Sequence, residues 1–212
     1  MMNISFRRKK KEKKNKSKVR EWVDAIVFAV IAASLIRWAF MEAFTIPTPS
    51  MEKSLLVGDF LFVSKIHYGP RTPKTPLQVP LTHQKIWFTE MQSYVDWIQL
   101  PMYRFPGFSE VKRNDVVVFN YPIEDHPVDL KTNYIKRCIG VGGDIIEIKN
   151  RDVYINNEFV EPPEEVQYKY ILSPKGVLNP RVLEKYDIYE TTNYGPTNVI
   201  VDTEPETAKN LE

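Results

Sequence analysis

The chain has 212 residues, 43% of them hydrophobic, enough for one domain of moderate size with appendages and too apolar for disorder throughout. The formal charge of +2 conceals a basic end on an acidic body: residues 1–20 carry ten Lys or Arg against one acid, and the remainder carries 19 basic against 26 acidic residues. One cysteine, Cys138, excludes an internal disulfide, and 16 prolines against 8 glycines suit strands and rigid loops better than a helical bundle.

The basic run RRKKKEKKNKSKVR (7–20) leads into WVDAIVFAVIAASLIRWAFMEAF (22–44). Alone, the run reads as a solvated tail or a nucleic-acid arm. Against an apolar segment it reads as the cytoplasmic flank of a membrane helix, and no nucleic acid is expected as a partner. The expectation is a basic cytoplasmic tail over 1–20 and a transmembrane anchor over 21–44, surrounded by membrane lipid. About 23 residues at about 1.5 Å each cover the roughly 30 Å of a hydrocarbon core. Asp24 lies near one end, Arg37 can snorkel toward the other, and Trp22 and Trp38 suit the headgroup zones. A cleaved leader fits less well, because Arg37 interrupts the run and the apolar stretch exceeds a leader's usual core. A buried helix of a soluble domain is the remaining alternative. With the N-terminus cytoplasmic, the body lies outside.

Residues 45–212 read as a mainly β body. DFLFVSKIHY (59–68) alternates in polarity, DVVVFNY (115–121) is a β-branched run, and NYIKRCIGV (133–141) is strand-like up to its glycines. DIIEIKNRDVYINNEFVE (144–161) reads as two strands around 150–152, then a tight turn at Asn156 and Asn157. No long amphipathic helix interrupts 111–171, which favours antiparallel sheets. Residues 69–110 form a Pro- and aromatic-rich insertion, with a short helix expected around 88–98. It either packs on the body as a loop or rests on the bilayer through Trp87, Trp97 and Tyr103. Residues 172–212 are expected to be peripheral, with a partly disordered end.

No chemistry stands out among the histidines. His67, His83 and His126 lack a metal-ligand spacing, no G-x-S-x-G elbow is present, and GVGGD (140–144) lacks the Lys-Ser/Thr of a phosphate loop. No metal and no cofactor are expected. The alternative is Ser50, in FTIPTPSMEKSLLVGD (44–59), served by a lysine. A lysine takes a serine proton only when neutral, and its reference pKa is about 10.4, so it must sit in apolar surroundings. Lys53 supplies an S-x-x-K spacing, but Pro49 opposes a helix starting at Ser50, and Glu52 adjoins it. Lys65 lies on the first body strand beside a turn. Lys136 shares a strand face with Tyr134 and Cys138, and a surface role is its alternative.

These segments together resemble the bacterial type I signal peptidase family, membrane-anchored serine proteases with a Ser/Lys dyad. The family's P-S-x-S-M-x-P-T-L-x-x-G-D is matched by PTPSMEKSLLVGD (47–59), R-G-D-V-V-V-F by RNDVVVF (113–119), and Y-I-K-R-x-x-G-x-P-G-D by YIKRCIGVGGD (134–144). The resemblance implies an all-β, double-sheet catalytic core behind the anchor, on the outer (periplasmic) face of the inner membrane. It implies Ser50 as nucleophile and Lys136 as general base. Thr48 and the Ser50 backbone N–H would form the oxyanion hole, and Ile46, Pro47, Met51 and Tyr134 the substrate cleft. The implied activity is a serine endopeptidase that cuts the signal peptides of exported preproteins after small residues.

The chain departs from the family pattern in places. Lys53 and Ser54 replace a proline and a threonine, and Gly142 replaces a proline. The family's G-D-N-R…S…D-S-R segment has no match in 145–212. The expectation is therefore of an incomplete core whose missing element lies elsewhere, a second subunit included, or of a diverged chain. The rival reading is an inactive relative that binds preproteins or a partner subunit without cutting. A third is an S-x-x-K acyltransferase using Ser50 and Lys53.

Overall fold

The computed structural model describes residues 17–163, 166–174, 176, 178–188 and 190–211. The basic tail expected over 1–20 therefore lies outside the described residues up to residue 16. Helix α1 (Lys18–Ala39) is 22 residues long and free of Gly and Pro. Ser17 caps it, its hydroxyl oxygen accepting from Arg20 N at 3.4 Å. At about 1.5 Å per residue the helix is about 33 Å long. Val23, Ile26, Phe28, Ile31 and Leu35 are all exposed along it, so apolar side chains face outward on successive turns. By length and composition it can cross a membrane.

The helix stops at Ala39, short of the expected limit at Phe44. Met41–Thr45 form strand β1, which pairs with β2 (Phe60–Ser64). Charge explains the stop. Glu42 accepts from Arg37 Nε at 2.7 Å and pairs with Lys65 Nζ at 2.8 Å. Arg37 is thus neutralised by protein at the end of the helix rather than snorkelling freely. Trp38 Nε1 donates to Arg71 O at 2.7 Å.

The chain divides into two compact units. One holds residues up to Glu42, Val63–Ser109 and Asn120–Thr132. Its insertion forms no helix at 88–98; among the described residues it is held by turns, isolated pairings and buried polar groups. Asp129 accepts from Lys74 N at 2.9 Å, Thr75 N at 2.8 Å and Thr75 Oγ1 at 3.1 Å, which satisfies the buried Thr75. Prolines that cannot donate to a ladder leave side chains to supply these bonds.

The other unit holds Ala43–Phe62, Glu110–Phe119 and residues from Asn133 onward. Strand β3 (Val116–Asn120) pairs with β4 (Asn133–Arg137). Strands β5 (Ile146–Lys149), β6 (Asp152–Ile155) and β7 (Glu158–Val160) form an antiparallel meander. Its turns are Asn150-Arg151 and Asn156-Asn157, all four with positive φ, as tight two-residue hairpins require.

Among the described residues beyond 171, strands and short helices form. Strand β8 (Tyr168–Leu172) pairs with β10 (Asn198–Thr203), which also pairs with β9 (Thr191–Tyr194). Short helices α2 (Pro180–Lys185) and α3 (Pro205–Asn210) flank β9 and β10 in sequence. Ile188, Val201 and Ala208 are buried, so this region contributes to the core of its unit together with Ile46, Met51 and Ile155. The architecture is mainly β: one membrane-length helix, then a body of four small sheets among the described residues.

Candidate active site

Ser50 sits in a loop closed at its base. Ile46 N donates to Asp59 O at 3.0 Å, and Gly58 N donates to Ile46 O at 2.9 Å. Gly58 takes φ 93, which side-chain-bearing residues rarely adopt, so the glycine fits the turn. Asp59 Oδ2 accepts from Leu56 N at 2.9 Å. Within the loop, Glu52 N donates to Pro49 O at 2.8 Å and Leu55 N to Met51 O at 2.7 Å. The Ser50 segment is therefore a turn, not the start of a helix.

Strand β4 brings Lys136 to this loop. Its Nζ donates to Ser50 Oγ at 2.5 Å, across 86 residues of sequence, and to Ile135 O at 2.9 Å. The Tyr134 ring lies on the same side of the strand, its centroid 6.0 Å from Nζ. Lys136 is half-buried and Ser50 is exposed. The two side chains lie within the hydrogen-bond reach that proton transfer between an amine and a hydroxyl needs.

The other lysines are engaged elsewhere. Lys53 takes φ 68 in the turn and lies 3.7 Å from Asp187 Oδ2. Lys65 follows β2 and is paired with Glu42. The S-x-x-K helical spacing is thus not formed.

The remaining residues carried over from the family pattern fall as follows. Ile46 is buried, with both of its backbone polar groups used in closing the loop. Met51 is 8% exposed and faces inward. Pro47 and Thr48 are exposed beside Ser50. Tyr134 is partly exposed.

Two features escape sequence reasoning. Arg137, next to Lys136, donates from Nη2 to Ser54 Oγ at 3.0 Å and from Nη1 to Asn114 O at 3.1 Å. It joins the Ser50 loop to the approach to β3. The motif spells the arginine, but nothing local gives its target. The second feature is a strut. Arg113 grips Asp144 with two bonds, Nε to Oδ2 at 2.9 Å and Nη2 to Oδ1 at 2.5 Å. Asp144 also accepts from Val141 N at 2.9 Å and Asn156 Nδ2 at 3.1 Å. The Arg113 guanidinium first, then the Val141 amide and the Asn156 side chain, hold this carboxyl below the usual carboxylate range. The strut ties the segment before β3 to the loop after β4, which carries Lys136.

Each histidine has a local setting. His67 Nδ1 lies 2.8 Å from Ser64 Oγ, and His126 Nδ1 lies 2.9 Å from the Tyr94 hydroxyl. Burial pushes the His83 imidazole down from its ordinary value. Among the described residues no group of three or more His, Cys, Asp or Glu is placed to hold a metal ion.

A family model described as signal peptidase, peptidase S26, matches residues 19–201. A signal peptidase I of Rickettsia massiliae (strain Mtu5) is 31% identical over 202 residues, which cover 89% of this chain and 66% of that protein. One from Rickettsia canadensis (strain McKiel) is 31% identical over 198 residues, 87% of this chain and 65% of that protein. One from Rickettsia felis (strain ATCC VR-1525 / URRWXCal2) is 30% identical over 202 residues, 89% and 66% respectively. The chain spans about two thirds of the length of these curated relatives. No solved structure matches it significantly.

Proposed function

The chain belongs to the signal peptidase family, peptidase S26, and on that premise we propose that it is a membrane-bound serine endopeptidase that removes N-terminal signal peptides from exported preproteins, with Ser50 as nucleophile and Lys136 as general base. Family membership and the one membrane-length helix among the described residues support a single-pass inner-membrane topology, the one typical of signal peptidase I. The body then works on the outer face, where cleavage sites emerge.

The observation that carries the reading is the 2.5 Å bond between Lys136 Nζ and Ser50 Oγ. In the reacting state the neutral amine turns its lone pair to the serine O–H, while an amine N–H remains donated to Ile135 O. That carbonyl bond aims the lone pair, the part a tautomer-fixing carboxylate plays for a catalytic histidine. Ser50 Oγ attacks the scissile carbonyl as its proton passes to Lys136. The lysine then returns the proton to the departing amine, and water hydrolyses the acyl-enzyme. Thr48 and the Ser50 N–H are the proposed donors to the oxyanion, each worth about 2.7–4 kcal/mol in comparable sites. An extended preprotein segment lying over the exposed Ser50 would exclude bulk water from the dyad.

The test is cleavage of a preprotein by the detergent-solubilised chain. The proposal expects one cut, after a small residue, and its loss in Ser50→Ala. Unchanged cleavage by that variant overturns it.

A further inference from the structure

The insertion between β2 and β3 carries an apolar projection that the dyad does not use. Residues 84–93 fold as a hairpin: Lys85 and Gln92 pair across it, Ser93 N donates to Gln84 O at 3.0 Å, and Ile86 N donates to Met91 O at 2.9 Å. Its base is fixed. Ser93 is buried and its hydroxyl donates to His83 O, while Gln78 Nε2 donates to the Thr82 and His83 carbonyls at 3.0 Å each. Gln84 Nε2 donates to Leu130 O at 3.0 Å. Its tip is bare. Trp87, Phe88 and Met91 are 55%, 107% and 66% exposed. Phe88 takes φ 62, a left-handed conformation that bulky side chains seldom adopt and that a water-facing turn would normally give to Gly or Asn. The chain sets large apolar groups on a hydrogen-bonded stalk and leaves Trp87, Phe88 and Met91 exposed.

The stalk belongs to the same compact unit as α1 and is bonded to the helix end. Arg37 Nη1 donates to Thr82 O at 3.4 Å. Trp87 is five residues beyond Thr82, so it lies within about 18 Å of extended chain from that point. Lys85 and Glu90 pair with each other beside the tip and leave it without net charge. Aromatic, uncharged and tethered to the end of a membrane-length helix, the projection matches the chemistry of the bilayer interface.

From this we infer that the 86–91 tip is a second membrane contact, seating Trp87 and Phe88 in the interfacial zone of the phospholipid bilayer that α1 crosses. Because the local charges cancel, zwitterionic lipid suffices. The inference rests on α1 spanning a membrane and not on the dyad.

The test uses the full chain with Cys138→Ser and Phe88→Cys, carrying an environment-sensitive fluorophore, reconstituted in phosphatidylcholine vesicles. Phe88 is fully exposed, so its replacement removes no packing. A second preparation carries the label at Lys169→Cys, whose side chain is 75% exposed on β8. The expected result is blue-shifted emission at 88, quenched by brominated acyl chains at least about two-fold more than at 169. Equal emission and quenching at the two positions would overturn the inference. So would a blue shift that disappears on diluting the protein in the vesicles, which would mean a second copy, or one that requires added preprotein. Loss of cleavage leaves these readouts unmoved, so failure of the dyad and failure of the membrane contact are distinguishable.

Discussion

Lys136 Nζ and Ser50 Oγ are 2.5 Å apart, and the same amine is held by Ile135 O at 2.9 Å. Two oxygens thus define the direction of one flexible side chain. A lysine has several freely rotating bonds, and its ordering is a cost that these contacts offset.

The nearer lysine is expected to be dispensable. Lys53 lies in the turn at φ 68 and makes a long contact, 3.7 Å, to the exposed Asp187. Such a pair is worth roughly 0–1 kcal/mol. Lys53→Met should leave preprotein cleavage within about two-fold of the parent, since only a surface charge is lost. A labelled β-lactam should form no adduct at Ser50. Loss of cleavage in Lys53→Met would revive the S-x-x-K reading.

Asp144 should give the body an acid-sensitive element. Its carboxyl is held below the usual range by Arg113, the Val141 amide and Asn156. The folded-state value therefore lies below the unfolded one. The stabilisation is fully present above the ordinary carboxylate value of about 3.9 and is lost as pH falls through the depressed value. Asp144→Asn should lower the thermal midpoint at neutral pH, and its gap from the parent should narrow below about pH 4. A gap that is constant with pH would contradict this role.

Much of the body could be read from local pattern. The β-branched run at 116–120 and the Asn-Asn turn at 156–157 encode β3 and the β6–β7 hairpin within a few residues. The end of α1 could not be read this way. The apolar run continues to Phe44, and what stops the helix is Glu42 bonding Arg37 and Lys65 while Met41–Thr45 pair with β2. The β8–β10–β9 sheet was hidden for a similar reason. Its strands alternate weakly, and β8 and β10 are joined by pairings such as Tyr170 with Val201. The expected helix at 88–98 ignored turns that no apolar period announces. In the candidate site, spacing left three lysines open, and only the family pattern singled out Lys136. The Arg113–Asp144 strut joins two motifs that the sequence spells without saying that they touch.

Val201 tests whether the last forty residues belong to the fold. It is 1% exposed at the centre of β10, paired with Tyr170 on one side and Thr191 on the other. Val201→Ala should cost about 2 kcal/mol, seen as a lower urea midpoint. A shift below about 0.5 kcal/mol, the size of an ordinary surface substitution, would mean that this region is peripheral.

Ser54 should act through Arg137. Its Oγ accepts from Arg137 Nη2 at 3.0 Å and holds the Ser50 loop next to β4. Ser54→Ala should lower kcat by up to about ten-fold with little change in KM, because the loss is one of alignment. Ser54→Thr, which restores the hydroxyl, should recover the rate. A rise in KM at constant kcat would assign Ser54 to substrate binding instead.

The most direct measurement of the central claim is the single-turnover cleavage rate of a preprotein by Lys136→Met, with preprotein binding measured alongside. The dyad predicts a fall of at least roughly 10³-fold with binding preserved, since the base is removed and the nucleophile loop is left in place. A rate within a few-fold of the parent would show that Ser50, if it reacts, is served by another base.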